Sequence, residues 1–553
     1  MRITDRSDLW WKTAVVYCLD VETFMDWNDD GFGDFEGLAH RLDHLAELGV
    51  TCIWLMPFQP TPDRDDGYDI TDFLGVDPRL GSLGDVAEFT RTARDRGMRV
   101  IVDLVMNHTS ARHPWFRSAR RSRRSPYRDW YVWQDDPPKA PNAVFPGEED
   151  SIWEFDERAG QYFLHSFYRH QPDLNIANPA VRDEIAKTVG FWLELGVSGF
   201  RVDAVPFLIE PPDGVDVGDP HEFLRDLRRF LQRRSSEAVL LGEVNLPYSE
   251  QLEYFGRVGD AAELTMQFDF LGMQALYLSL AREDARPLAA SLAKRPSIEP
   301  EAQWANFVRN HDELTLDKLS DAERDEVFEA FAPEEWMRVY GRGIVRRLPP
   351  MLDGDPRRIR LVYSLLFSLP GTPVLFYGEE IGMGENGAQK GRQAVRTPMQ
   401  WTDERNGGFS RATPSRLAAA PPADGYAPEH VNVEAQMHDP DSLLAFIKQL
   451  ATRYRSSPEI GWGVLDVLST GLDEVLAHRI TADVGRFVAV HNFAPTPTVV
   501  PLELGRVAPH AVLSDLFAPD TYPLDERGRI EVHLDAYGYR WFRIVEPDDR
   551  RLT

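Results

Sequence analysis

Three carboxylates stand in frames suited to bond-cleaving chemistry. Asp203 lies in Gly199-Phe200-Arg201-Val202-Asp203-Ala204, Glu243 in Leu240-Leu241-Gly242-Glu243-Val244-Asn245, and Asp312 in Arg309-Asn310-His311-Asp312-Glu313. Each frame opens on a short apolar or β-branched run and ends on a charge, as a buried parallel strand does at its C-terminal tip. Such tips delivering acids to one place suggest the catalytic face of a barrel. Two acids flanking one bond are what glycoside cleavage requires, one to attack or stabilise and one to donate a proton.

Arg201 precedes Asp203 by two residues, so on a strand both side chains point the same way. A guanidinium there is expected to lower the Asp203 pKa and keep it ionised, as a nucleophile requires. A purely structural Arg–Asp pair is the bland alternative, and it loses weight because two more acids stand in the same kind of frame. Glu243 ends the apolar run Val239-Leu240-Leu241-Gly242, and desolvation there should raise its pKa toward that of a proton donor. The His311-Asp312 doublet can hydrogen-bond neighbouring hydroxyls of one sugar ring. Asn107-His108 ends another apolar run, and Asp65-Asp66-Gly67-Tyr68-Asp69 sets an aromatic ring beside acids, with Gly67 permitting a tight turn. Arg396, in Arg396-Thr397-Pro398-Met399-Gln400-Trp401, is expected to pair with Asp65.

One more motif suggests a cation. Asp26-Trp27-Asn28-Asp29-Asp30-Gly31-Phe32-Gly33-Asp34 carries the D-x-N-x-D-G opening of a calcium loop, with ligands expected at Asp26, Asn28, Asp30, Phe32 (through its carbonyl) and Asp34. Position 37 is glycine, so the closing glutamate of an EF-hand is absent, and a plain Asx-turn loop is the competing reading. The ion would be Ca2+ (or Mg2+) in a structural role, with no organic cofactor.

The elements that must position these residues follow from periodicity. Strand-like runs at 15–21, 52–58, 100–106, 199–205, 239–244, 264–270, 305–310 and 373–377 alternate with helix-like runs such as 38–49, 86–97 and 179–196. Eight strands alternating with helices predict an α/β fold, a (β/α)8 TIM barrel. Residues 109–172 lack that alternation and read as a small inserted domain after strand 3. From about 459 short alternating runs between turns suggest a C-terminal antiparallel β-sandwich. The expected division is therefore 1–108 and 173–458 for the barrel, 109–172 for the insertion and 459–553 for the sandwich. The Gly-, Pro- and Ala-rich stretch 384–436 after the eighth strand is a natural wall for a site.

The chain has 553 residues and a net charge of −28, which argues against nucleic acid or an anionic membrane as partner. Its basic run from Arg117 to Arg128 reads as a solvated helix end. Cys18 and Cys52 are the only cysteines and sit in apolar runs as buried thiols. No leader-like or membrane-spanning run is apparent, so a soluble cytoplasmic protein is expected. Homo-oligomerisation is left open.

Taken together, these motifs resemble the α-amylase superfamily, glycoside hydrolase family 13. Its four motifs occur in order: Asp103-Leu104-Val105-Met106-Asn107-His108, Gly199 to Asp203, Glu243, and Asn310-His311-Asp312. Gln171-Pro172-Asp173-Leu174-Asn175 is similar to a fifth motif, and stretches such as Arg309-Asn310-His311-Asp312-Glu313-Leu314-Thr315-Leu316 resemble the trehalose synthase branch. The resemblance implies Asp203 as nucleophile, Glu243 as acid/base and Asp312 as transition-state stabiliser. It implies Asp65, Tyr68, His108, Arg201, His311 and Arg396 as the shell around a non-reducing glucose. Asn107 and Asp173 match two positions of a family calcium site, whose usual histidine is missing because Phe207 stands in that region.

The implied function is a retaining enzyme acting on small α-linked glucosides (maltose, trehalose, short maltooligosaccharides) through a covalent glucosyl-enzyme, isomerising maltose and trehalose. The alternative is an α-glucosidase or α-amylase-type hydrolase with transfer activity. Gly242-Glu243-Val244-Asn245 and Gly391-Arg392-Gln393-Ala394-Val395 depart from the trehalose synthase pattern on the acceptor side. A catalytically dead scaffold barrel is disfavoured, because all three acids are present.

Overall fold

The structure, a computed structural model, describes residues 9–137, 143–209, 219–257 and 262–547. Strands β1 (Val16–Leu19), β2 (Cys52–Leu55) and β3 (Arg99–Leu104) are followed by three short strands, β4 (Trp133–Gln134), β5 (Trp153–Asp156) and β6 (Gln161–Leu164). Then come β7 (Gly199–Val202), β8 (Val239–Gly242), β9 (Met266–Phe268) and β10 (Gln303–Phe307). A small hairpin sheet, β11 (Leu314–Thr315), β12 (Arg338–Val339) and β13 (Gly343–Ile344), precedes β14 (Thr372–Phe376). The barrel closes in the order β1-β14-β10-β9-β8-β7-β3-β2, with parallel pairing throughout.

Barrel strands are covered on both faces, which is why they read as continuous apolar runs and not as alternating ones. The charged exceptions are functional in placement: Asp103 on β3 pairs in register with Arg201 on β7. Each of the eight expected runs overlaps a barrel strand and overshoots its C-terminal end, and the runs at 100–106, 305–310 and 373–377 begin one or two residues late. The overshoot has a physical cause, since residues past the ladder still line a buried floor and stay apolar. Helices are close to expectation at Leu83–Asp95, opened by a Ser82/Asp85 capping box, and at Pro179–Glu194. The run at 38–49 splits into Phe35–His40 and Leu42–Leu48, the second ending on Gly49 at φ 92°.

The insertion after β3 folds as an antiparallel sheet, β4-β6-β5, with a small core of Ile152, Trp153 and Leu164. In the basic run Arg120 pairs with Asp156 and Arg123 with Asp135, whereas Arg128 is buried, 3.7 Å over the Trp133 ring. That burial departs from a wholly solvated cluster, and the indole face is the reason. Cys18 and Cys52 are buried free thiols. No helix among the described residues is long and apolar enough to cross a membrane, and residues 1–8, on which the reading of a leader-free start rests, lie outside the described residues.

Toward the C-terminus lie β15 (Val464–Leu468), β16 (Val475–Ala482), β17 (Gly485–Asn492), β18 (Thr498–Glu503), β19 (Val512–Asp515), β20 (Thr521–Pro523), β21 (Arg529–Leu534) and β22 (Tyr539–Val545). They form a six-stranded sheet, β15-β16-β17-β22-β19-β20, and a two-stranded sheet, β18-β21, around a core that includes Val488, Val500, Leu513 and Phe542. Buried and exposed residues alternate in β18 and β21, as in a half-solvated sandwich.

This sandwich docks on the helix Pro356–Ser368 through two buried histidines. His491 Nε2 lies 2.8 Å from Ser364 Oγ, His478 Nε2 lies 2.9 Å from the Ser368 carbonyl, and the two rings stack at 6.1 Å. Burial pushes His478 down to about 4 and His491 in the same direction. Each is neutral when folded and gains a proton on unfolding below its ordinary pKa of about 6.5. Their stabilisation is therefore intact above about pH 6.5 and lost as pH falls toward 4, by up to about 3 kcal/mol for His478. His478→Gln should flatten the fall in melting temperature between pH 7 and pH 5; an unchanged slope in calorimetry would refute this source of acid lability.

Candidate active site

Asp203 and Glu243 immediately follow β7 and β8, and His311-Asp312 lies on the loop after β10. The three frames thus converge at the C-terminal ends of the strands. At their centre is Arg201, whose side chain is only 1% exposed. Its Nη1 donates to Asp103 Oδ1 and to Asp203 Oδ1, both at 2.6 Å, and its Nη2 donates to Glu243 Oε2 at 2.6 Å. Asp103 is sealed (0% side-chain exposure), while Asp203 (11%), Glu243 (26%) and Asp312 (18%) reach the cavity.

One guanidinium serving three carboxylates changes the expected electrostatics. Burial pushes the Asp203 carboxyl well up, and the charges of Glu243, Asp103 and Asp312 push the same way, with Arg201 only partly offsetting them. The expectation that Arg201 alone lowers the Asp203 pKa is therefore corrected: the guanidinium is shared. Asp312 behaves oppositely. Burial opposes its ionisation, yet His311, Arg392 and Arg396 together hold its carboxyl well below the usual range.

Tyr68 and His311 stack with rings 5.5 Å apart, Tyr68 Oη lies 2.7 Å from His311 Nε2, and that nitrogen lies 3.1 Å from Asp312 Oδ2. Trp54 Nε1 and Tyr68 Oη both donate to Asp103 Oδ2. The turn that delivers Tyr68 runs through Asp66 and Gly67 at φ 50° and 87°. A Cβ on Gly67 would meet the Pro57 carbonyl oxygen at 2.7 Å, so glycine is required there. His108 Nε2 lies 3.1 Å from the Tyr68 carbonyl, and burial pushes this histidine down to about 4, leaving it neutral.

Arg396 does not pair with Asp65 as expected. It donates to Asp66 Oδ2 (2.7 Å), Asp312 Oδ1 (3.1 Å) and the His311 carbonyl (2.8 Å). The partner of Asp65 is Arg392, which bridges Asp65 Oδ1 (2.8 Å) and Asp312 Oδ1 (2.7 Å) and lies over the Phe145 ring. Gln171 Nε2 holds the other Asp65 oxygen. Sequence reasoning missed Asp103 and Arg392 as members of this cluster. The signal for Asp103 is an acid inside an apolar strand, which demands a buried cation; Arg392 sits in an aperiodic loop and carries no comparable signal. The cavity so enclosed is about 690 Å³, and its lining includes Phe145, Phe167, Phe207 and Phe270.

The two cation readings fare differently. In the Asp26 loop Asp26 accepts from the Asp29 and Gly31 amides and from Ser410 Oγ, Asn28 from the Asp30 amide, Asp30 from the Phe32 amide, and Asp34 from the Trp27, Asn28 and Gly37 amides. Side-chain oxygens carry two lone pairs, so acceptor capacity remains in the loop, but Asp26, Asp30 and Asp34 are not among the acids whose ligand atoms lie within 4.8 Å of one another. Asn107 and Asp173 fit poorly. Asn107 Nδ2 donates to Asp173 Oδ1 at 3.2 Å, Ser166 occupies both Asp173 oxygens, and burial pushes Asp173 up to about 7. Phe207, packed 5.1 Å from Phe167, adds no ligand. Among the described residues the group of acids, histidines or cysteines whose ligand atoms lie within 4.8 Å of one another is Asp20, Glu22 and Asp66. Arg79 and Arg396 already pair with Glu22 and Asp66.

The sequence profile described as "Alpha amylase, catalytic domain" matches residues 20–328 and 346–463, and "Sucrose hydrolase-like, C-terminal domain" matches 485–543. The chain is 40% identical to a trehalose synthase of Pimelobacter sp. (strain R48), covering 98% of this chain and 96% of that one. It is 43% identical to a trehalose synthase of Thermus thermophilus over 97% of its own length and 56% of that relative's. A crystal structure of an alpha-amylase from H. orenii superposes with a TM-score of 0.78 at 25% identity, covering 97% of this chain and all of that one.

Proposed function

Because the chain belongs to the α-amylase family, glycoside hydrolase family 13, we propose that it is a retaining α-glucoside-acting enzyme that interconverts maltose and trehalose by moving one glucosyl unit within the pocket. The observation that carries the reading is the single pocket in which Asp203 and Glu243 share Arg201 while Arg392 pins Asp65 to Asp312 and closes the inner end. A blind inner end takes a terminal glucosyl residue and not the middle of a polymer.

Asp203 attacks the anomeric carbon, Glu243 protonates the departing oxygen, and a covalent glucosyl-enzyme forms. Asp203 and Glu243 share Arg201, and the one proton the step needs must sit on Glu243 when the bond breaks. Ionised Asp312, backed by His311, Arg392 and Arg396, supports the positive charge that develops on the ring. Tyr68 and His108 flank the same glucosyl unit. Departed glucose then faces the aromatic wall of Phe145, Phe167, Phe207 and Phe270, which offers surface but few fixed polar partners. It can turn and return through its anomeric hydroxyl, with Glu243 taking the proton back. A hydrolytic side reaction is favoured by one observation: Lys318 (28% exposed) and Asp317 (26%) border the cavity beside Glu243 and give water a path. Incubation with maltose tests the proposal. Trehalose should exceed free glucose early in the reaction, and mostly glucose would assign the chain to α-glucoside hydrolysis instead.

Arg392→Gln removes the cation between Asp65 and Asp312. Loss of a charge-assisted hydrogen bond costs about 1.5–3 kcal/mol, so kcat/KM on maltose should fall by about 10- to 100-fold. A fall under about threefold would mean the inner wall is not a binding wall. For the Asp26 loop the supported reading is a structural Ca2+ held by Asp26, Asn28, Asp30, the Phe32 carbonyl and Asp34. Calcium present at 100 times its dissociation constant should stabilise by about 2.7 kcal/mol, and chelator should reverse this. Asp30→Ala should abolish the response; a melting temperature indifferent to calcium in the parent protein would remove the site. The buried, unpaired Cys18 and Cys52 suit a reducing cytoplasm.

A further inference from the structure

A second cavity of about 800 Å³, larger than the active-site cavity, lies at the other end of the barrel. Its lining includes Lys12 ahead of β1, Gln303 at the start of β10, and Pro370 and Gly371 just before β14. These are N-terminal strand ends, whereas the catalytic carboxylates follow C-terminal ones. One wall is the end of the helix Arg286–Lys294 with the loop 295–300 after it, and the other is residues 460–467, running into β15 of the sandwich.

The chemistry of the walls is specific. Trp462 is half-buried, with Lys12 Nζ 5.3 Å from its ring centroid. Lys12 is buried, and its Nζ donates to the Ala302 carbonyl at 2.9 Å. Arg295 lies 5.1 Å over the Trp304 ring, its side chain 4% exposed and its Nε 3.5 Å from Asp269 Oδ2. Arg295 Nε and Nη1 and Trp304 Nε1 have no hydrogen-bond partner, an expensive state for buried donors. Glu299, Asp466 and Asp483 add carboxylates to the lining. An anion would meet those acids, and a cation would meet the donors of Arg295, Trp304 and Lys12. A neutral polyhydroxyl ligand answers both sets with its hydroxyls and an indole with its apolar face.

We propose that this cavity is a second, non-catalytic binding site for a neutral glucoside of disaccharide or short-oligosaccharide size, stacked on Trp462 and held by Arg295. That the sugar is a glucoside rests on the proposed function; the cavity and its lining do not.

The test uses the full chain carrying Asp203→Asn, so that sugar is bound without turnover, titrated calorimetrically with maltose. Two maltose molecules per chain are expected. Trp462→Ala and, separately, Ser297→Trp, which fills the mouth from an exposed loop position, should each leave one, with melting temperatures unchanged. Arg295→Gln should weaken the second site by about tenfold. A single site in the Asp203→Asn chain, no binding at all, or two sites persisting in both the Trp462→Ala and Ser297→Trp variants would each overturn the proposal. Two sites in a chain whose parent does not convert maltose would uphold this site and refute the isomerase reading. One site in a chain whose parent makes trehalose would do the reverse.

Discussion

Asp203→Asn is expected to lower turnover by at least about 10⁴-fold while leaving the melting temperature unchanged or higher. The carboxylate is lost as a nucleophile, and no neighbouring acid can replace it: Asp103 is sealed behind Arg201, and Asp312 is held by Arg392 and Arg396. The stability half follows from the same geometry. Asp203 is buried among Glu243, Asp103 and Asp312, and its carboxyl is pushed well up, so its charge is a burden on the fold at neutral pH. An amide of the same shape still accepts from Arg201 and carries no charge. A residue whose loss stabilises while activity collapses is held for function and not for folding. Residual activity above about 1% of the parent would count against its role, as would a large drop in melting temperature.

Arg201→Ala should have the largest structural effect of any single change in the site. It strips the common partner from Asp103, Asp203 and Glu243, and leaving buried charges unpaired costs about 3–5 kcal/mol. Asp203, already pushed up by burial and held down in part by Arg201, would then take up a proton still more readily when folded than unfolded. Its folded pKa rises further, so stability is retained at low pH and lost as pH rises through it. The deficit should therefore be smaller at pH 5 than at pH 8, the opposite of what the buried histidines produce. Arg201→Lys restores one charge without the planar fork, so it should recover part of the stability and little of the activity. An Arg201→Ala chain as stable as its parent at pH 8 would show that Arg201 does not hold the cluster.

Much of this arrangement is legible in the sequence because barrel strands are buried on both faces and end on charges. The frames of Asp203 and Glu243 work for that reason: an apolar run that stops at an acid marks both the strand and the place where it leaves the sheet. What is not legible lies in aperiodic loops. Arg392 and Arg396 are four residues apart in one irregular segment, and nothing in their spacing says which meets Asp65. The backbone course of that loop decides, and it gives Asp65 to Arg392 and Asp66 to Arg396. Charge sharing is hidden for a related reason. Arg201 and Asp203 look like a private pair two residues apart, but Asp103 enters from β3 through the register of neighbouring strands, and Glu243 enters from β8. Charge sharing among four groups depends on pairing that local sequence does not encode.

The identity of the attacking carboxylate decides the mechanism. Incubation with 5-fluoro-α-glucosyl fluoride, followed by proteolysis and peptide mass spectrometry, would trap a glycosyl-enzyme and locate it. One fluoroglucosyl adduct per chain is expected, attached to Asp203, with none in the Asp203→Asn protein. An adduct on Glu243, Asp312 or any other residue would contradict it, as would turnover of the reagent to an inverted product without an adduct.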